Sequence, residues 1–493
     1  MSRYVQKNPI AQCVKFLYIV LSLVHLILLC FSYQDGMWYS AEACLYTAVI
    51  HTVITIGYGL RNLENRFRIV SFNAMYFLFL LSGLIATLLD GKTIISYLGV
   101  SEQAAQHTCY CLAISIIVVN LTYIALESFS RKNIKPYFSE NSKTRPMQRG
   151  TRQIILVLFI VVLVAKFAGA VIQYRFLNEN SYVDSYVIGY NKPFYITMPE
   201  SVFYFCLCLW MATNPSKKQF YPLIVVVIVV EIIVLLSGDR AEPMATLFLL
   251  AYYVYNRSKA GNPVFRFTKM RVVVILALLP ALILALQMVQ YTRVHETVAE
   301  DTNLFLEFFE DQGVSVNVIS KGYVYEEDIR QIGGSSYTIG GFRSYLTQNL
   351  ISRTLFGIEA IPKNSVAAAT SGNSFGSTLA YLWFRITYLE GHGCGSSYVA
   401  EMYHDGGIYF LCVGSALIAV LLLYLSRKGI PNGIYSYAFV LLMFKNLVLL
   451  PRVNSMAWFT ATFSVQNLIV LVALLVANQL FSLHSNRRER ATA

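Results

Sequence analysis

Charge is what this chain has least of. Only 13% of its 493 residues are Asp, Glu, Lys or Arg, about half the roughly 25% of a soluble domain, which excludes a soluble enzyme. No G-x-x-x-x-G-K phosphate loop occurs, so no nucleotide cradle for an ATP-driven pump is present. Low-complexity tracts are missing, and the two halves show no repeat of the kind many secondary transporters carry. The nine cysteines are odd in number, and eight of them (Cys13, Cys30, Cys44, Cys109, Cys111, Cys206, Cys208 and Cys412) lie in or beside apolar runs. They read as small buried thiols, and neither a disulfide framework nor a zinc site is indicated. The two C-x-C pairs fall on expected helices, where i and i+2 do not share a face.

What is present describes an all-α polytopic membrane protein. Hydrophobic residues make up 56% of the chain, with 31 Phe, 34 Tyr and a mean hydropathy of +0.53. Apolar runs of about 20 residues recur, each long enough for a bilayer. They suggest about twelve spans: 16–33, 41–58, 70–89, 108–126, 154–172, 194–212, 222–236, 243–255, 272–289, 398–424, 433–450 and 463–480. The first run lacks a small-x-small cleavage site before Gln34 and reads as a retained helix rather than a signal peptide. The organisation expected is nine spans over residues 1–289, a large external cap over 290–397 with amphipathic helices, then three spans and a cytoplasmic tail over 398–493. Lys and Arg sort between alternate connections 25 to 5, leaving aside the long connection after Val289, so the rich set faces the cytoplasm and both termini lie there. That topology, with anionic lipid at the inner leaflet, accounts for the net charge of +12 and removes the case for nucleic-acid binding.

Two departures from a plain bundle point to function. The connection from about Gln290 to Ser397 exceeds a hundred residues, far beyond the usual ~4 to 6, and mixes helical stretches (302–309, 341–355) with turn-rich polar runs. The other is S-G-D-R-A-E-P after the run 222–236, which at ~1.5 Å per residue covers only ~22 Å and so places Arg240 in a recessed turn.

The stretch G-H-G-C-G-S-S-Y-V-A-E-M-Y-H-D-G-G, from Gly391 to Gly407, leads from the cap toward the next span. Gly393 and Gly395, followed by Ser396 and Ser397 at a helix start, leave backbone N–H groups free for an anion such as phosphate. Glu401 falls about one turn into that helix with His404 at i+3, a carboxylate and imidazole suited to acid–base work; a serine N-cap and a dipole-facing carboxylate would look the same. External arginines are the second group, because a guanidinium grips phosphate bidentately. Arg240 and Arg293 are best placed, beside membrane boundaries, with Arg353, Arg343, Arg385 and Arg452 less constrained; any one of them could instead snorkel or pair with an acid. Lys166, Glu200, Glu231 and Lys445 fall within spans and should face the bundle interior and pair, for structure or for transport. His25, His51 and His107 read as packing residues. Glu326-Glu327-Asp328 has an E-x-D spacing, more often a solvated acidic run than a metal site.

S-G-D-R at Ser237–Arg240, F-F-E-D-Q-G-V-S at Phe308–Ser315 and the Gly391–Gly407 motif, with about twelve spans and one late external loop, resemble the Wzy polymerases of O-antigen and capsular polysaccharide. The resemblance covers most of the chain. It implies metal-independent glycosyl transfer on the outer face of a bacterial inner membrane, with undecaprenyl pyrophosphate as lipid carrier, no cofactor, and a chain-length-regulating membrane protein as a partner. Carried onto this sequence, Arg240, Gln312, Gly313, Ser315, Gly393, Gly395, Ser396 and Glu401 stand at positions matching the motifs; His392 and His404 fall outside the pattern. Arginines and the glycine turn would hold the leaving diphosphate, with Glu401 as base. An O-antigen ligase shares the donor and the chemistry, and a flippase of lipid-linked oligosaccharide shares the architecture.

Overall fold

The computed structural model describes residues 9–129, 149–179, 192–239, 241–259, 263–265, 303–333, 336–427 and 433–492, with 280, 283, 284, 287, 288 and 291 between. Its elements are helical throughout. Among the described residues, eight helices are long and apolar enough to cross a membrane: 12–34, 41–60, 65–89, 102–127, 150–177, 217–236, 398–425 and 457–480. The pair Phe194–Glu200 and Phe203–Ala212, bent by 46°, is together long and apolar enough for a broken span or a re-entrant loop. Pro199 sits at that break, where it cannot donate to the helix ladder.

Three expected spans stand apart from these. Residues 243–255 lie in the helix Ala241–Lys259, which carries Glu242, Arg257 and Lys259. Residues 433–450 hold a 15-residue helix, Ile434–Val448, short for a crossing. The run 272–289 lies mostly outside the described residues. One expectation is corrected: the run read as a short span from Pro222 belongs to the 20-residue helix Lys217–Leu236. At ~1.5 Å per residue that helix is ~30 Å long and crosses fully, so the recess inferred for Arg240 from span length fails. Pro222 misled because it sits inside the helix, where the turns around it bear the loss of one hydrogen bond.

Among the described residues two large apolar cores form, with a small third around Ala369, Ala380 and Tyr388. One joins the first four spans to the helix beginning at Tyr398; the other joins Arg149–Glu179, Phe203–Ala212, Lys217–Leu236, Ala241–Lys259 and Ile434–Val448. Inside the first, Asn73 and Asn120 exchange amide hydrogen bonds of 2.9 and 3.0 Å. Such a closed pair satisfies polar groups that lipid cannot. Inside the second, Lys166 and Lys192 flank Glu200 at 3.1 and 2.9 Å. Lys445 pairs with Glu242 at 3.7 Å and lies over the Tyr204 ring at 3.6 Å, while Tyr204 donates to Glu231 at 3.3 Å. Of the four ionisable residues expected to pair, Lys166 and Glu200 pair with each other, Lys445 pairs with Glu242, and Glu231 accepts from Tyr204.

Between Leu304 and Leu389 the described helices have at most nine residues, ~14 Å, and none can cross a bilayer. The stretches expected at 302–309 and 341–355 become Leu304–Gln312, then Gly340–Thr347 and Leu350–Phe356, split where Asn349 caps a new helix. Glu326–Asp328 form the first turn of a helix, a favourable place for acids, and Arg330 pairs with Glu326 at 2.9 Å.

Candidate active site

The Gly391–Gly407 motif does not run straight into a span. Gly406 and Gly407 leave helical geometry, Gly407 at φ 66° and ψ −161°, a region open essentially to glycine alone. The chain folds back there: a Cβ on Gly414 would lie 2.1 Å from Met402 Sδ, although twelve residues of straight helix would hold them ~18 Å apart. Residues 398–405 therefore form a two-turn helix packed against the crossing segment that follows. Tyr398 bonds Ser115 at 2.6 Å, while Tyr403 meets the His107 ring at 4.3 Å. Ser115 lies thirteen residues, ~20 Å, along the Glu102–Phe129 helix and His107 only ~8 Å. The short helix thus starts deep in the bundle and climbs toward the end where Glu102 lies, and the glycine run before it is recessed.

Beside that run opens a cavity of ≈ 470 Å³, inside the ~300–1,000 Å³ range of ligand sites. Gly391, Gly393, Cys394, Gly395 and Ser396 form one wall; Asn373, Ser374, Gly376 and Ser377 form a second; Arg452, Val453 and Asn454 form a third, with Asn364 and Tyr388 completing it. Glycine is needed at two contacts. Gly395 holds φ 73°, and a Cβ on Gly376 would lie 1.9 Å from the Gly395 carbonyl oxygen. Cys394 donates to the Gly376 carbonyl at 3.3 Å, and burial pushes its thiol up to about 12. That makes it a tie between walls, not a nucleophile.

Glu401 is 1% exposed and lies directly behind Ser396. Ser396 Oγ donates to Glu401 Oε1 at 2.7 Å, and the backbone N–H of Ser455 donates to Oε2 at 2.7 Å. The carboxylate joins the glycine run to the turn that carries Arg452 and Asn454. His404, one turn on, packs elsewhere, against the rings of Tyr337 and Phe375 at 5.3 and 5.5 Å, beside a one-water space of ≈ 10 Å³ that His107, Tyr323 and Glu326 also line. Ser397 is buried and caps the short helix, accepting from Val399 N at 3.4 Å.

Arg452 lies between the cavity and the third span. Its guanidinium lies 5.1 Å from the Phe79 ring centre, and Phe79 belongs to a π-helical turn, Phe77–Leu81, inside the third span. Next to that turn, Gly313 presses on Gly83 so closely that a Cβ on it would sit 2.5 Å from the Gly83 nitrogen. Ser82 Oγ donates to the Phe309 carbonyl at 3.1 Å and Tyr97 to the Glu310 carbonyl at 2.7 Å, so F-F-E-D-Q-G-V-S is docked on this span. Gln312 and Ser315 of that motif are buried, and Gln312 Nε2 reaches no partner among the described residues. From the S-G-D-R turn, Asp239 is held above the usual carboxylate range by desolvation and by Glu242, while the Arg452 guanidinium pulls it back. Asp239 Oδ1 caps the next helix, accepting from Ala241 N at 3.2 Å.

Of the residues expected from sequence, the structure gathers Gly393, Gly395, Ser396 and Glu401 at this cavity and sets Gln312 on the neighbouring span. Arg353 is exposed on the helix Leu350–Phe356 and does not line it. Arg240 and Arg293 lie outside the described residues. Sequence reasoning gave Arg452 no special weight and missed Asn364, Asn373, Ser374, Ser377 and Asn454. The only signal for the last was its place beside Arg452 between two apolar runs.

Fold and cavity together define a polytopic membrane protein whose recessed polar site is built from hydroxyls, amides and a guanidinium. The chain matches the model of the O-antigen polysaccharide polymerase Wzy family over residues 14–483 and belongs to that family. No curated protein and no solved structure matches it. Membership makes it a multi-pass membrane polymerase of O-antigen polysaccharide, acting on lipid-linked oligosaccharide repeat units.

Proposed function

We propose that the chain lengthens O-antigen by transferring the growing glycan from a polyprenyl diphosphate to the next lipid-linked repeat unit, on the outer face of the membrane and without a metal. The observation that carries this reading is the cavity in which the Gly391–Ser396 run and Arg452 face walls that offer amide and hydroxyl groups. Those neutral groups match sugar hydroxyls, and the guanidinium matches a phosphoryl oxygen. Arg452, with Arg240 next to Asp239, would take the diphosphate together with N–H groups of the Gly393–Ser396 turn. Arg293 and Arg353 would serve its approach, and Gln312 would brace the span beneath. Glu401 is the base for the acceptor hydroxyl; His404, set among aromatic rings, supports the short helix. The remaining topology follows the apolar runs and the charge count, with twelve spans, both termini cytoplasmic and residues 290–397 on the outer side, and a chain-length regulator is the expected neighbour.

Little covalent chemistry is asked of the protein. Diphosphate is a good leaving group, so catalysis rests on positioning and on donors aimed at the charge that develops as it departs. The test is genetic and chemical. A strain lacking the gene should carry a single repeat unit on its lipid A core, and wild type should restore long chains in the presence or absence of a chelator in vitro. Arg452→Ala should reach the membrane and leave single units. Core with no repeat unit at all in the deletion strain would point to ligation or flipping, and full-length polymer from Arg452→Ala would remove the cavity from the reaction.

A further inference from the structure

Glu401 is at the site without being in it. Its carboxyl group is buried, it is absent from the cavity wall, and both oxygens are already engaged, one by the Ser396 hydroxyl and one by the Ser455 N–H. Ser396, in contrast, does line the cavity while donating its only hydroxyl proton backward, at 2.7 Å. With that proton committed to Glu401, the lone pairs of Ser396 Oγ are left to face the cavity.

We propose that Ser396 is a catalytic residue of the transfer, carrying the acceptor's proton to Glu401, and that Glu401 never touches substrate. This rests on the reading of Glu401 as the base. In the step, the acceptor sugar O–H gives its proton to Ser396 Oγ as the proton already on Ser396 passes to Glu401 Oε1. The acceptor oxygen bonds the anomeric carbon of the donor glycan, the bond from that carbon to the diphosphate oxygen breaks, and the electron pair leaves with the diphosphate. Glu401 then returns its proton to Ser396, which releases its own to water entering the emptied cavity. The Ser455 N–H holds the carboxylate so that Oε1 keeps facing the serine, which makes the turn Arg452–Ser455 a positioning element for the base as well as a wall.

The arrangement asks for a serine-sized hydroxyl at this position. Alanine fills the same space and cuts the relay; threonine restores the hydroxyl with one added methyl. The full-length protein in nanodiscs should be given polyprenyl diphosphate-linked repeat units, with turnover and donor KM measured for wild type, Ser396→Ala, Ser396→Thr, Glu401→Gln and the double variant. Loss of a general base costs about 10² to 10⁴ in rate. Ser396→Ala and Glu401→Gln should each lose kcat by a similar factor in that range at nearly unchanged donor KM. The double variant should be no slower than the worse single, because both act in one step. Ser396→Thr should recover to within about tenfold of wild type. Ser396→Ala near wild-type kcat beside a crippled Glu401→Gln would overturn the relay and leave Glu401 acting directly. Near-normal turnover in Glu401→Gln would instead overturn the reading of Glu401 as base. A raised donor KM in Ser396→Ala, not rescued by threonine, would make Ser396 a structural tie and end the proposal.

Discussion

Replacing Gly376 by alanine tests whether the cavity walls are set by backbone contact. The added Cβ would meet the Gly395 carbonyl oxygen at 1.9 Å and its carbon at 2.9 Å, where ordinary contact begins near 3.4 Å. One wall must therefore move by about 1.5 Å. Neither side yields easily: Gly376 sits in the first turn of Phe375–Trp383 beside the buried Phe375, and the Gly395 carbonyl belongs to a turn with φ 73°. Alanine's helix propensity returns at most ~1 kcal/mol, against ~1 to 3 kcal/mol for overpacking. Even with that full gain, a net loss of stability of up to about 2 kcal/mol follows. The larger effect is on rate, because ~1 Å of misplacement near a reacting centre costs on the order of 10². Gly57→Ala is the control: it lies on the helix Ala41–Leu60 away from the cavity, and no atom lies within 4 Å of its Cβ, so stability should not fall and rate should stay within about twofold of wild type. Thermal unfolding in detergent and the chain-length distribution of the polymer measure the two quantities. Normal polymer from Gly376→Ala, or a larger loss from Gly57→Ala, would show that backbone contact does not set this site.

Four further outcomes are expected. Single cysteines at Lys143 and Arg266 should label only from the cytoplasmic side, and those at Asn317 and Ser365 only from outside; reversed labelling of Asn317→Cys would overturn both the map and the outer-face reading. Arg240→Lys should reach the membrane yet lose most polymer, because a point charge replaces a bidentate fork, whereas full polymer length would reduce Arg240 to an interfacial anchor. Cys394, its thiol pushed up to about 12, stays protonated until pH rises toward that value. At pH 8 only about 10⁻⁴ of it is thiolate, so iodoacetamide should modify it in unfolded but not folded protein, and rapid native alkylation would refute the tie it makes to Gly376. Asn73→Leu alone should cost about 1 to 3 kcal/mol by stranding the Asn120 amide, and Asn73→Leu with Asn120→Leu should recover much of it in thermal unfolding; additive losses would contradict the closed pair.

The class of fold was legible because lipid leaves a chain few options. A run of about 20 apolar residues with satisfied backbone must be a helix, so composition alone located most crossings. Errors came where length was read from punctuation. Pro222 was taken as a helix start, although Lys217–Leu236 carries it internally, and the ionisable ends of Ala241–Lys259 kept that helix from passing as plainly apolar. The glycine-rich motif was legible as a place, since Gly393, Gly395, Ser396 and Glu401 do share the cavity wall or lie just behind it.

Its geometry was not legible, and the reason is physical. Helical periodicity puts Glu401 and His404 on one short helix, as observed, but it does not say that Glu401 turns to Ser396 and Ser455 while His404 turns to Tyr337 and Phe375. Gly406 and Gly407 break that helix, and the short piece is then oriented by what it packs on: Met402 against Gly414, Tyr398 against Ser115, His404 between Tyr337 and Phe375. Those partners lie 12, 283, 67 and 29 residues away in sequence, so no local pattern encodes them. The same holds for Arg452, whose weight comes from Phe79, Asp239 and the glycine run meeting beside it. A single arginine between two apolar runs carries no sign of that in sequence, where snorkelling is its simplest reading. In a membrane bundle the spans are written locally and the site is written in the contacts between them: Gly313 is informative because it lies against the Gly83 backbone, and Gly395 and Gly407 because they hold positive φ.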